Sequence, residues 1–192
     1  NQRDVVKNER RQRYDNIPYG TMWERIIDAV FPKGHQYDHM PIGSMDHLSS
    51  ASLQDCIDFW RTYYGPNNAV LSVVGDVDTA AAFAEVEKYF GSIPAIPEPA
   101  RPDDTPIGPL LEPLRVTFTE SVPAERFVAV WRVPAAGTAE LEALNLGATV
   151  LSTGHASRLT ERLVRDKQVA LGVPSGAHEP IGGPSLFMVQ VT

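Results

Sequence analysis

Residues 35–39 read His-Gln-Tyr-Asp-His, two histidines four apart with an acid directly before the second. This is the spacing of the inverted zinc-peptidase motif H-x-x-E-H, with Asp38 in place of the glutamate. On a helix, His35 and His39 would share a face and grip zinc while the acid activates a water. The flanks oppose that geometry. Gly34 precedes the pentapeptide and Pro41 follows it, which leaves too little helix to align both imidazoles. Asp38 is also one methylene shorter than the base the motif uses. The expectation is a loop whose polar side chains hydrogen-bond at the surface.

Three other groups carry chemistry. Cys56 falls on the apolar stripe of an expected helix, so it reads as a buried structural thiol rather than a nucleophile. Gly154-His155-Ala156-Ser157 lacks the G-x-S-x-G frame of a serine nucleophile and reads as a glycine turn with Ser157 as helix N-cap. Lys7, Arg10, Arg11 and Arg13 read as a charged helix face ion-paired with Asp4, Glu9 and Asp15.

The elements that must position these residues can be read from periodicity. Residues 2–15 form a mostly polar helix with Val5 and Val6 as anchors, ended before Pro18. Residues 19–31 form a second helix with Trp23, Ile26, Ile27 and Val30 at core spacing. Residues 32–51 are loop. Ser52 caps a helix with Asp55 as capping-box partner, and Leu53, Cys56, Ile57, Trp60 and Tyr64 form its stripe. A turn at residues 65–68 leads to a buried strand at 69–74, and Asp78 caps a helix running to residue 90. Residues 93–109 are dense in proline and form a linker. Beyond it, residues 116–119, 127–133, 169–177 and 186–191 read as strands, and residues 140–151 and 157–166 as helices. The fold class is α+β: layers of antiparallel-rich sheet packed with helices, in two incomplete domains. The expected division is 1–92, a linker at 93–113, and 114–192.

The 192 residues are 43% hydrophobic and 21% charged, an ordinary globular composition that needs no metal for stability. The formal net charge of −7 argues against a nucleic-acid or anionic-membrane partner. One cysteine excludes an internal disulfide framework. No run of about 18 apolar residues is present to span a membrane. No secretory leader is expected in this chain, and its helical opening reads as the interior of a longer protein. Cytoplasmic and periplasmic settings both fit.

An ordered series of longer motifs is more specific than any of these signals. QRDVVKNERRQRYDNIPYG, GHQY, PIGSMDHL, FWRTYYGPNNAVLSVVGDVD and VEKYFGSIP follow one another in the first half. In the second, VPAERFVAVWRVPAAGT precedes VLSTGHASRLTERLVRD. Together they resemble the insulinase, pitrilysin and mitochondrial-processing-peptidase family of zinc metallopeptidases, over essentially the whole chain. The resemblance implies that Glu9 is the third zinc ligand, a carboxylate on a helix downstream of the H-x-x-E-H helix that gives two histidines and a general base. That helix would lie upstream of Asn1. Where some relatives carry a supporting acid, this chain has Gln2.

The resemblance also implies that the second domain repeats the first. Its helix at 140–151 takes the place of the zinc helix but offers neither histidine nor base, and residues 154–157 face the chamber where peptide is held. The implied activity is hydrolysis of peptide bonds in unfolded or short peptides by a zinc-activated water. Zinc belongs to the intact protein, and none is expected in this chain. No catalytic residue is assigned within it, and its substrate-binding residues are undefined. The expected partners are the peptide and the upstream remainder of the same polypeptide. One alternative is a non-catalytic relative acting as a binding or assembly subunit. Another is a short protein that self-associates to cover its incomplete domains.

Overall fold

The computed structural model describes residues 2–101, 107–180 and 183–192. The chain divides into two compact units, Asn1–Gly43 with Asp103–Thr192, and Ser44–Pro102. Among the described residues no helix is long and apolar enough to cross a membrane.

The first unit is built on a three-stranded antiparallel sheet of β1 (Phe127–Val133), β2 (Ser175–His178) and β3 (Ser185–Val191), in the order β1-β3-β2. Side-chain alternation sends the two faces of this sheet to different helices. Val128, Val130, Leu186 and Met188 share one face. They pack with Ile26, Ile27, Val30 and Phe31, which lie on and just past α2 (Met22–Val30). His178, paired with Leu186, lies on that face too, with its ring edge-on to Trp23 at 4.8 Å. Ser175 and Ala177 lie on the other face, opposite Val189 and Phe187. There the Ser175 hydroxyl donates to the Ala148 carbonyl at 3.3 Å, which fixes β2 against α6 (Ala139–Ser152). Each aliphatic side chain buried in these layers contributes about 1.5–3 kcal/mol. That sum outweighs the weak propensity of the β-branched residues in α2 for a helix.

Polar groups finish the joints. Arg132 donates from Nε to the Val30 carbonyl (2.6 Å) and from Nη1 to the Gly108 carbonyl (2.8 Å). A cation thus meets the carbonyl end of α2, where the helix dipole favours it. Burial nevertheless lowers the pKa of Arg132.

Before α2, α1 (Gln2–Arg10) passes into a π-helical turn, Arg11–Asp15, closed by the Asn16 N–H on the Arg11 carbonyl at 2.9 Å. Tyr19 then takes a left-handed conformation (φ 61°). Its hydroxyl donates to the Ala124 carbonyl at 2.7 Å, and its ring lies 3.5 Å beneath the Arg126 guanidinium.

The second unit holds α3 (Met45–Ser50), α4 (Leu53–Tyr63), a 3₁₀ turn at Pro66–Asn68 and α5 (Thr79–Phe90). Ser52 and Asp55 form the expected capping box, and the hydrogen bonds from Ser52 lower the Asp55 pKa. Asp78 caps α5 by accepting from the Ala81 N–H at 2.8 Å. Asn67 ties the turn to the proline-rich stretch through paired bonds with the backbone of Ile96. A side chain at Gly65 would collide with the Ile96 side chain unless Ile96 moved.

Several expectations are corrected. Residues 69–74 and 116–119 are not in a ladder, although their sequences favour strand. A strand is stable only with a hydrogen-bonded neighbour, and among the described residues every ladder partner comes from residues 127–191. The strand expected over 169–177 shortens to Ser175–His178. The helix expected over 19–31 begins at Met22, because Tyr19 is left-handed. The expected loop at 32–51 contains α3, capped by Ser44. Val5 is exposed rather than an anchor. Cys56 is exposed, as are Leu53, Trp60 and Tyr64 of its stripe, so the buried thiol expected there is not found. The described parts of the proline-rich stretch have no helix or strand, and residues 102–106 lie outside the described residues.

Candidate metal-ligand site

Glu9 sits one residue before the end of α1. Its side chain is 41% exposed, and its Oε1 lies 3.3 Å from Arg13 Nε, one turn on. Arg13 is itself 72% exposed. A pair this open to solvent is worth only about 0–1 kcal/mol. Exchanging Arg13 for a metal ion would therefore cost the carboxylate little. The π turn begins two residues after Glu9, and such turns recur at functional sites because they re-aim the side chains around them.

The neighbouring Arg10 behaves differently. It is 8% exposed, the one charged side chain that is buried among the described residues. Its Nη1 donates to the Gly43 carbonyl at 2.6 Å, and its Nη2 reaches both carboxylate oxygens of Glu24, at 2.8 and 3.1 Å. Nε is buried without a hydrogen bond, 3.5 Å from Asp15 Oδ1. The hydrogen bond with Glu24 is the main cause of a pKa raised above the usual arginine value. Arg10 thus ties α1 to α2 and to the loop before α3. Among the described residues Arg11 bonds to Asn8 on the surface, at 2.8 Å.

The charged-face reading of the cluster holds for Arg13, paired with Glu9, and in part for Arg10, which pairs with Asp15 as expected but is buried against Glu24 rather than solvated. Sequence reasoning did not distinguish the arginines of this face, and it missed Glu24 and Gly43 as partners of Arg10. One signal was available: Arg10 lies one helical turn after Val6, on the half-buried side of α1.

The His35–His39 stretch is a series of turns, with the Asp38 N–H donating to the His35 carbonyl at 2.9 Å. The two imidazoles have separate surroundings. His35 stacks on Phe31 at 5.0 Å and accepts the Tyr37 N–H at Nδ1, whereas His39 is exposed and pairs through Nδ1 with Asp38 at 2.8 Å. The second Asp38 oxygen accepts the Gly34 N–H at 2.7 Å. The His39 contact, then the Gly34 bond, hold the Asp38 carboxyl below its ordinary pKa. Both oxygens of the would-be base are committed to local loop structure.

Gly154 is left-handed (φ 81°), and the Ser157 hydroxyl donates to its carbonyl at 2.8 Å. The glycine turn is as expected, and Ser157 is buried just before the helix that runs through the π-helical segment Thr160–Asp166, but its hydroxyl bonds to the Gly154 carbonyl and to Thr160 Oγ1 rather than accepting a helix N–H as an N-cap would. Helix α6 presents no histidine.

Among the described residues no group of three His, Cys, Asp or Glu side chains converges as a metal cage. The exposed Glu9 carboxylate is of the chemical type that serves as an oxygen ligand to zinc.

Comparison with known proteins places the chain in a family. The family model described as the peptidase M16 inactive domain matches residues 50–192. The zinc protease PqqE of Helicobacter pylori is 33% identical over 171 residues, covering 88% of this chain and 38% of the relative. The crystal structure of a protease from Helicobacter pylori superposes with a TM-score of 0.77 at 32% identity, covering 98% of this chain and 46% of that one. The peptidase M16 inactive domain from Pseudomonas fluorescens shares the fold, with a TM-score of 0.69 at 18% identity and coverage of 98% and 46%. The chain thus spans less than half the length of these relatives. Its ordered motifs and its α+β layers have one common explanation: the chain belongs to the insulinase-like peptidase M16 family.

Proposed function

We propose that the intact protein is a zinc-dependent metalloendopeptidase acting on unfolded or short peptides, and that Glu9 is one of its zinc ligands. The observation that carries this reading is the state of Glu9: an accessible carboxylate on α1, held only by an exposed ion pair. The similarity to a protein named a zinc protease supports it. When bound, zinc supplies Lewis-acid polarisation of the peptide carbonyl and a nucleophilic water near neutral pH. The part this chain plays is to present one ligand oxygen from an anchored helix. Two histidines and a general base come from sequence outside it, and residues 1–92 belong with that sequence in the ligand-bearing domain. Residues 114–192 begin the second domain, whose helix α6 carries no ligand.

The isolated chain holds no zinc and cleaves no peptide in this reading. The test compares the full-length protein with its Glu9→Gln variant. Loss of bound zinc and of chelator-sensitive cleavage of an unstructured peptide is expected. Full zinc occupancy in Glu9→Gln would sink the assignment.

A second reading has its own support, since the matched family model is named for an inactive domain. In that reading the protein is a binding or assembly subunit that keeps the fold without the chemistry. A full-length protein that binds peptide but holds no zinc would establish it.

A further inference from the structure

We propose that Arg10 is the positioning residue for Glu9, setting the rotation of α1 about its own axis and so the direction in which the ligand carboxylate points. This rests on the reading of Glu9 as a zinc ligand and adds to it the device that aims the ligand.

The helix carrying Glu9 is short and mostly polar; Val5 on it is exposed, Val6 is half-buried, and Arg10 is its buried residue. Arg10 fixes the azimuth of this helix from three directions, through two bonds to Glu24 on α2, one to the Gly43 carbonyl, and the nearby Asp15 carboxylate. The planar guanidinium fork fixes orientation as well as distance, which a flexible ammonium does not. Glu24 is carried by the helix whose Ile26, Ile27 and Val30 are in the core, so α1 is referenced to the buried core of the unit. Because Glu9 is the adjacent residue, rolling α1 swings its carboxylate directly. Arg13, which does touch Glu9, is too exposed to hold a geometry.

The experiment uses the full-length protein with Arg10→Gln, Arg10→Lys, Glu24→Gln, Glu9→Gln and, as control, Arg11→Gln. Zinc affinity is measured by chelator competition, thermal stability by circular dichroism, and ligand geometry by the visible spectrum of the cobalt(II)-substituted protein. Arg10→Gln and Glu24→Gln are expected to weaken zinc about 10-fold or more and to shift the cobalt spectrum, with Arg10→Lys between them and wild type. The control should stay within about two-fold. A purely structural Arg10 would lower the melting temperature while zinc affinity and cobalt spectrum stay unchanged; with zinc lost in Glu9→Gln, that result overturns the positioning role alone. Should Arg10→Gln fail to fold, Glu24→Gln decides the same question from the more exposed partner. Retention of zinc by Glu9→Gln would remove the ligand reading and the positioning role with it.

Discussion

Two carboxylates show how surroundings assign roles to like side chains. Asp38 is consumed by its loop: one oxygen faces His39 and the other the Gly34 N–H. Because its folded pKa is depressed from 3.8, its stabilising contribution is present above that value and lost as pH falls through the folded pKa. Urea midpoints measured across acidic pH should therefore fall less steeply for Asp38→Asn than for wild type; identical curves would contradict the loop assignment. Glu9, in contrast, is lightly held. In the isolated chain Glu9→Gln should change stability by no more than about 0.5 kcal/mol, as for other surface substitutions. A larger loss in urea titration would mean that Glu9 is structural.

Among the elements, α2 and β3 carry the most. Leu186 is fully buried between them, so Leu186→Ala should cost about 2–5 kcal/mol, read from denaturant unfolding of the first unit. The left-handed Tyr19 tests a finer balance. Tyr19→Gly relieves the backbone but removes both the Arg126 stacking and the hydrogen bond to Ala124. A cation–π contact and a hydrogen bond, each worth about 1 kcal/mol, exceed the relief a glycine provides. Net destabilisation is expected, and a more stable Tyr19→Gly would show that strain dominates.

For the molecule as a whole, the decisive quantity is uncovered apolar surface. Leu53 and Trp60 on α4, Tyr64 just past it, Val70 and Val74 after the turn, and Phe83 and Tyr89 on α5 are all exposed, Val70 at 97%. Single exposed apolar residues are common, but so many in one unit mark apolar surface suited to contact. The isolated chain should self-associate, giving a mass by light scattering above the 21.1 kDa of one copy. Trp60→Lys with Val74→Lys should reduce it. A monomer at high concentration in wild type would mean that these side chains tolerate water.

The sequence by itself determined the helices with strong caps and apolar spacing, among them α2, α4, α5 and α6, and the strand pair β1 and β3. Those elements follow from local periodicity and from Ser52, Asp78 and their like. Through its ordered motifs the sequence also determined the family and singled out Glu9. Tertiary structure alone decided which strand-like segments entered a ladder, because residues 69–74 and 116–119 favour strand and still need a partner. It alone decided that Cys56 faces solvent, since a stripe is buried only where another layer covers it. And it separated Arg10 from Arg11 and Arg13, three identical side chains whose difference is the distance to Glu24, a contact across a turn that helical spacing does not encode.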